Sequence, residues 1–310
     1  MVRTYGRMTP RHALQLAAPH TWAASVCPAL FGILYSILRG WQMPPLGFAA
    51  LFVTCVLMQS AVNTLNDYMD FVKGTDSKSD NVEAGDAAIL YGNLDPKQVL
   101  ILGLGYSVAA AVLGLLACIG RGPIPVIVGV LGGLIVVVYS AGPLPISYLP
   151  VGEAVSGFVM GGLIPLGIVS AASGAWHPEV ILYSLPFILG IALIMMSNNG
   201  CDIDKDIRAG RMTMAVRLKR ERTAKLYHAL VIFWFVLILG MSALFLPAGI
   251  TGILLLVLLA RRPFAELIRS GLFPEERIRQ MRTILAANIT GNGAYLAAVA
   301  AALVWGRIHG

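Results

Sequence analysis

Long apolar stretches alternate with short polar segments along almost the whole chain. A helix that crosses a bilayer needs about 20 mostly apolar residues. Nine candidate stretches lie at residues 17–38, 44–65, 98–119, 123–141, 153–173, 179–200, 225–245, 246–261 and 284–305. The seventh and eighth are separated only by Leu246-Pro247-Ala248-Gly249. The pattern predicts an all-α polytopic membrane protein with nine transmembrane helices, in a single transmembrane domain over residues 1–310.

The positions of the basic residues predict how these helices are oriented. If the N-terminus lies inside and the segments alternate, 20 of the 23 lysine and arginine residues fall inside. Because cytoplasmic loops carry an excess of lysine and arginine, we expect a cytoplasmic N-terminus and an outside C-terminus in the cell (inner) membrane. The net charge of +7 then reflects topology, so we expect the lipid bilayer as a partner and no nucleic acid.

The composition agrees with this interpretation. The chain is 57% hydrophobic and 13% charged, whereas an ordinary soluble domain is about 25% charged. Four cysteines show neither metal-ligand spacing nor a disulfide framework. The basic N-terminus leads into an apolar stretch without a convincing cleavage site, so we expect no signal peptide.

Two acidic clusters stand at the inner ends of the second and sixth predicted helices, where charge is costly and often functional. They read Asn63-Thr-Leu-Asn66-Asp67-Tyr-Met-Asp70 and Asn198-Asn199-Gly-Cys-Asp202-Ile-Asp204-Lys-Asp206. Residues three or four apart share one face of a helix. This predicts two sets of metal ligands, Asn63, Asp67 and Asp70, and Asn198, Asp202 and Asp206. Asp204 points off that face and is interpreted as a surface charge.

These oxygen ligands suit magnesium, which takes one or two carboxylates together with substrate phosphate and water. Two facing clusters would hold magnesium with a diphosphate between them, which makes Asp67, Asp70, Asp202 and Asp206 the catalytic candidates. Nearby basic side chains are the candidates for diphosphate binding; they are Lys73, Lys205, Arg208 and Arg211. We expect the acids after the first cluster (Asp76, Asp80, Glu83 and Asp86) to lie in a solvated loop and not to bind metal. Asp76 is the candidate exception.

A loop rich in proline and glycine, residues 139–153, joins the fourth and fifth predicted helices. It has two interpretations, a rigid connector or the border of a pocket for a second substrate. In the second interpretation the pocket residues are Tyr139, Tyr148 and Glu153.

The clusters resemble the two signatures of the UbiA superfamily of intramembrane aromatic prenyltransferases. The first signature is matched by Asn63-x3-Asp67-x2-Asp70 with Gly74 and Asp76, and the second by Asn198-Asn199-x2-Asp202-x3-Asp206-x3-Gly210-Arg211-x-Thr213-x-Ala215-Val216. The loop from Tyr139 to Tyr148, followed by Gly152-Glu153, resembles the corresponding loop in the branch of the superfamily that prenylates 1,4-dihydroxy-2-naphthoate. The resemblance implies a UbiA-like bundle, Mg²⁺ as cofactor, a polyprenyl diphosphate and an aromatic acceptor. The implied function is prenyl transfer to 1,4-dihydroxy-2-naphthoate in menaquinone biosynthesis.

Other functions remain open at this point. The acceptor could instead be 4-hydroxybenzoate, homogentisate or a tetrapyrrole. A cation-coupled membrane transporter is the alternative from another class, but it predicts acids near the bilayer midplane, whereas these lie at helix ends. A CDP-alcohol phosphotransferase needs a single Asp-rich run with an embedded Gly and Ala-Arg, which the sequence lacks.

Overall fold

The computed structural model describes residues 5–74, 88–140, 142 and 144–309. Within these residues the fold is helical and contains no β-strand, only an isolated bridge between Gly6 and Leu94. The loop acids Asp76, Asp80, Glu83 and Asp86 lie outside the described residues.

Fifteen α-helices follow one another in the described part of the chain. They are α1 (Pro10–Ala17), α2 (Ala23–Leu38), α3 (Pro45–Lys73), α4 (Ala88–Gly92), α5 (Pro96–Ala117), α6 (Ile124–Ser140), α7 (Gly152–Phe158), α8 (Ile164–Ser173), α9 (Val180–Tyr183), α10 (Leu185–Cys201), α11 (Ile203–Arg208), α12 (Met214–Ala243), α13 (Ile250–Leu255), α14 (Arg261–Leu267) and α15 (Arg277–His309). π-Helical turns at Val159–Leu163 and Leu256–Ala260 join α7 to α8 and α13 to α14.

Five of the described helical segments are long and apolar enough to cross a bilayer, and a sixth is added if the helices Pro10–Thr21 and Ala23–Leu38, bent by 64°, form one span. The chain is therefore a multi-pass membrane protein. The predicted count of nine spans is not confirmed. One reason is length, because α6 and α10 have 17 residues each, or about 25 Å against a hydrocarbon core of about 30 Å.

Three helices extend further than the hydrophobic pattern predicts. Helix α3 continues past the predicted end at residue 65 to Lys73, and stops at Gly74, whose φ of 66° is left-handed. The first acidic cluster therefore lies on the last turns of a helix and not in a loop. Helices α12 and α15 begin at Met214 and Arg277, before the apolar stretches predicted at 225 and 284, and α12 is kinked at Lys219, whose φ of 63° is not helical. A helix can continue through polar residues because its backbone hydrogen bonds do not depend on apolar side chains.

Close packing fixes α7 against α10, the helix that leads into the second acidic cluster. A Cβ at Gly157 or Gly161 would stand 2.4 Å from the backbone of Ile188, so only glycine allows this approach. On the other side of α10, the indole of Trp234 on α12 donates to the carbonyl of Pro186 at 2.8 Å. Glu153 ends the loop of residues 139–153, the candidate border of an acceptor pocket, which is called the acceptor loop below. Glu153 and the second cluster are thus held side by side.

Candidate active site

Asn63 ties the first acidic cluster to the N-terminal segment. Its amide nitrogen donates to the carbonyl of Ala17 and the hydroxyl of Thr21, each at 2.9 Å. Its Oδ1 accepts a hydrogen bond from Gln59 at 3.1 Å. The amide is therefore oriented by protein contacts, with one lone pair of Oδ1 left over. Its role as a metal ligand stays a prediction.

The two aspartates of the first cluster have different partners. Asp67 is buried, and its Oδ2 accepts from the backbone nitrogen of Ala88 at 2.8 Å. Asp70 Oδ1 accepts from Nη2 of Arg211 at 2.6 Å. The continuous α3 places these residues on adjacent turns, as the spacing predicts.

In the second cluster, Arg277 holds two of the predicted ligands together. Its Nε lies 3.0 and 3.2 Å from the two carboxylate oxygens of Asp202, and its Nη2 donates to Asn198 Oδ1 at 2.6 Å. The side chains of Arg277 and Asp202 are only 8% and 9% exposed. A buried charge pair of this kind costs much desolvation and is severely disturbed when one member is lost.

Asp206 is the most deeply buried acid of the site, at 1% exposure. Its Oδ2 accepts from the hydroxyl of Thr213 at 3.2 Å, and its Oδ1 lies 3.8 Å from Nη1 of Arg211. Burial raises the pKa of Asp206 to about 6, although the neighbouring Arg211 guanidinium acts in the opposite direction. Because Arg211 also contacts Asp70, this one guanidinium bridges the first acidic cluster and the second.

Asp204 points away from these groups. Its carboxylate accepts from Arg220 at 3.0 Å, and its side chain is 66% exposed. This position matches the interpretation of Asp204 as a surface charge. The other two predicted diphosphate contacts from α11 are at its surface, with Lys205 half-buried and Arg208 exposed.

Tyr148 of the acceptor loop lies between two of the predicted diphosphate-binding cations. Lys73 Nζ and the guanidinium carbon of Arg211 are each 5.0 Å from the centre of its ring. Lys73 also donates to the carbonyl of Ser140 at 3.2 Å, and the backbone nitrogen of Met212 donates to the carbonyl of Tyr148 at 2.9 Å. Cations over an aromatic face attract its ring, so the loop is attached to both clusters.

The other two acceptor-loop candidates are Glu153, which is buried, and Tyr139, which is half-buried. Glu153 is 3% exposed, and its Oε1 accepts from the amide of Asn199 at 2.9 Å. The hydroxyl of Tyr139 lies near Gly152, the residue before Glu153, since a Cβ added there would be 3.7 Å from it. The structure thus brings the three loop residues next to the acidic clusters, which favours a pocket border over a simple connector.

Sequence reasoning missed several contacts of the site. Asn199 and Thr213 stand inside the second motif, so a closer look at its non-acidic members would have included them. Arg277 gave no signal, because it is one of several arginines in a basic segment and meets Asp202 from 75 residues away. Ser140 donates to Asn66 Oδ1 in a short hydrogen bond, again between distant segments.

The oxygen donors of the site fit magnesium only together with ligands from a substrate. Among the described residues, no group of three or more His, Cys, Asp or Glu side chains is close enough to hold a metal ion alone. Magnesium does not need such a cage, since it usually takes one or two carboxylates plus substrate phosphate and water. The four aspartates therefore suit an ion that is completed by a phosphorylated substrate.

Comparisons with known proteins give a consistent result. A profile of the UbiA prenyltransferase family matches residues 25–270. Over 227 residues, 73% of this chain and 72% of the other, the chain is 32% identical to the 1,4-dihydroxy-2-naphthoate octaprenyltransferase of Bacillus subtilis (strain 168). It is 27% identical over 218 residues to the UbiA prenyltransferase domain-containing protein 1 homolog of Drosophila melanogaster, covering 69% of this chain and 59% of that one.

Solved structures share the fold. The UbiA homolog from Archaeoglobus fulgidus bound to GPP and Mg²⁺ superposes with a TM-score of 0.63, at 15% identity, over 94% of this chain and 99% of that chain. A digeranylgeranylglyceryl phosphate synthase gives a TM-score of 0.58 at 16% identity, over 95% and 98%. At these identities the likeness concerns the fold alone.

Proposed function

The chain belongs to the UbiA prenyltransferase family and is a prenyltransferase, and on this premise we propose that it transfers a polyprenyl group from an allylic diphosphate to 1,4-dihydroxy-2-naphthoate with Mg²⁺ as cofactor. The acceptor is favoured by the 32% identity to the Bacillus subtilis protein of that name. 4-Hydroxybenzoate, homogentisate and tetrapyrroles are the competing acceptors. Family membership argues against the transporter alternative.

The observation that carries the proposal is the position of Arg211. It contacts Asp70 at 2.6 Å and Asp206 at 3.8 Å, and its guanidinium lies over the ring of Tyr148. One cation thus links the first acidic cluster, the second acidic cluster and the acceptor loop. A reaction that joins a diphosphate substrate to an aromatic one needs these three elements in one place.

In the diphosphate half of the site, Asn63, Asp67, Asp70, Asn198, Asp202 and Asp206 would hold magnesium. When bound, magnesium supplies Lewis-acid stabilisation of the charge that develops on the departing diphosphate. Lys73, Lys205, Arg208 and Arg211 donate charge-assisted hydrogen bonds to the remaining phosphate oxygens. Stabilising this leaving group favours breakage of the allylic C–O bond, whose electron pair leaves with the diphosphate.

In the acceptor half, Tyr139, Tyr148 and Glu153 border the aromatic ring. A ring carbon forms a bond to the first carbon of the prenyl group. Carbon dioxide then leaves from the same ring carbon, and its bonding pair restores the aromatic system. Water must be kept from the allylic cation, and the apolar helices around the site provide that exclusion.

The arrangement in the membrane completes the proposal. We infer one domain over residues 1–310 and nine spans in the cell (inner) membrane, with the short helices α6 and α10 among the spans. The N-terminus lies in the cytoplasm and the C-terminus outside. The acidic clusters are then at the cytoplasmic face, where a water-soluble diphosphate head group has access.

Purified protein in nanodiscs tests this proposal with a labelled polyprenyl diphosphate and a panel of acceptors. We expect transfer to 1,4-dihydroxy-2-naphthoate, loss of transfer with EDTA, and recovery when excess Mg²⁺ is added. Preference for another acceptor would overturn the naphthoate assignment. Full activity in EDTA would overturn the metal assignment.

A further inference from the structure

Glu153 carries a carboxylate oxygen that none of the described residues satisfies. The side chain is 3% exposed, and Oε2 is buried without a hydrogen-bond partner among the described residues. Among the described residues, no lysine, arginine or histidine forms an ion pair with Glu153. A buried polar group without a partner is costly, and an acid within a membrane-spanning segment is by default a functional candidate.

The other oxygen of Glu153 fixes the orientation of the side chain. Oε1 accepts from Asn199 at 2.9 Å, and Asn199 is buried on α10 next to the predicted ligand Asn198. The carboxylate is therefore anchored to the helix that carries the second acidic cluster. Because one oxygen is anchored, the free oxygen has a defined direction, as a specific binding group requires.

The surroundings of Glu153 belong to the acceptor half of the site. The charges of Glu153 and Arg211 both act on the hydroxyl of Tyr139. The neighbouring Gly152 leaves room for the turn Ile146–Tyr148, since a Cβ there would be 3.2 Å from the carbonyl oxygen of Ile146 and 3.7 Å from the Tyr139 hydroxyl. The turn that ends in the cation-flanked ring of Tyr148 thus lies directly against the start of α7, next to Glu153.

We propose that Oε2 of Glu153 accepts a hydrogen bond from a ring hydroxyl of the aromatic acceptor, so that this enzyme selects acceptors by a free phenolic hydroxyl. This inference rests on the proposed function. A phenolic hydroxyl is a donor that fits an anchored, unsatisfied carboxylate oxygen, whereas an ether, a carboxylate or an aliphatic group at that position is not.

The same contact assists the reaction. When the ring carbon attacks the prenyl group, electron density moves from the hydroxyl oxygen into the ring, and the hydroxyl becomes a much stronger acid. Its hydrogen bond to Glu153 therefore strengthens in the transition state, and interactions of this kind raise kcat. The hydroxyl proton stays shared between the two oxygens and returns fully to the hydroxyl when carbon dioxide leaves.

The test combines one substitution with modified acceptors. Glu153→Gln keeps an oxygen for Asn199 but places an NH₂ donor where Oε2 was, so a hydroxyl can no longer donate there. Its matched control is Glu221→Gln, since Glu221 is an exposed acid on α12 whose side chain is 82% exposed. Each protein is assayed with 1,4-dihydroxy-2-naphthoate and with its two mono-O-methyl ethers, at saturating polyprenyl diphosphate and Mg²⁺.

We expect Glu153→Gln to lower kcat/KM for the hydroxylated acceptor by about tenfold to a hundredfold, with no change in the KM for the polyprenyl diphosphate. In the wild type, kcat/KM for one of the two ethers should be lower than that for 1,4-dihydroxy-2-naphthoate by a similar factor. In Glu153→Gln this difference between the ether and the parent acceptor should largely disappear. Glu221→Gln should behave as the wild type throughout.

Two results would overturn the inference while leaving the proposed function intact. One is that the wild type uses both ethers with the same efficiency as the parent acceptor. This comparison does not depend on the folding of any variant. The other is an ether penalty of the same size in the wild type and in Glu153→Gln. Absence of transfer to every phenolic acceptor tested would instead overturn both the proposed function and the inference.

Discussion

Removal of Arg277 should destabilise the protein because it leaves a buried carboxylate without its counter-ion. The contacts of Arg277 include two hydrogen bonds to Asp202 and one to Asn198, and both members of the ion pair are more than nine-tenths buried. Loss of one partner of a buried pair costs about 3–5 kcal/mol. We therefore expect Arg277→Met to lower the free energy of unfolding by about 3 kcal/mol.

Two matched variants separate this effect from the mere loss of an arginine. Arg279 lies two residues further along α15, is 72% exposed and pairs with Glu276. Arg279→Gln should change stability by less than about 0.5 kcal/mol, as for most surface substitutions. In the double variant Arg277→Met, Asp202→Asn no charge is left unpaired, so most of the lost stability should return.

Equilibrium denaturation in detergent micelles, followed by tryptophan fluorescence, measures these differences in one series. The reasoning would be refuted if Arg277→Met were no less stable than Arg279→Gln. It would also be refuted if the double variant were as unstable as Arg277→Met plus the separate cost of Asp202→Asn, since the two effects would then be independent.

Two further predictions concern the acids and the helix packing. Asp202→Asn should abolish turnover in the protein that elutes as a monodisperse folded species, and it should also lower stability because buried Arg277 loses its counter-ion. Asp204→Asn should retain most activity because its side chain is exposed and faces Arg220. Equal losses of activity in the two folded variants would show that the ligand face is wrongly assigned. Gly161→Ala should sharply reduce the yield of folded protein, because its Cβ would stand 2.4 Å from the backbone nitrogen of Ile188. A normal yield with unchanged thermal stability would contradict the close approach of the π-helical turn Val159–Leu163 to α10.

The sequence predicts the helices well where hydropathy alone decides. The predicted stretches 98–119, 123–141 and 153–173 match α5, α6 and the run from α7 to α8 to within two residues. It fails where polar residues continue a helix, as at the end of α3, because transfer into lipid and backbone helicity are different properties. Hydropathy also cannot show the 64° bend between the helices Pro10–Thr21 and Ala23–Leu38.

The candidate site was predictable as a set of acids but not as a network. Asp204 is exposed, as helical spacing predicts, although the helix is interrupted at Asp202 between α10 and α11. Spacing could not indicate that Arg211 meets Asp70 or that Arg277 meets Asp202, because these pairs depend on how distant helices pack. Asn199 shows the same limit, since adjacent residues on a helix point in different directions and Asn199 therefore reaches Glu153 while Asn198 reaches Arg277.

The bridge made by Arg211 has a consequence for the synthesis of the protein. Arg211 follows Asp70 by 141 residues, and Arg277 follows Asp202 by 75. At about 5–20 residues per second, Asp70 is made roughly 7–30 s before its partner leaves the ribosome. During this interval the early helices enter the membrane before the ion pair between Asp70 and Arg211 can form. The candidate site is therefore among the last parts of the molecule to form, and a chain released before Arg277 lacks the buried ion pair of Arg277 with Asp202.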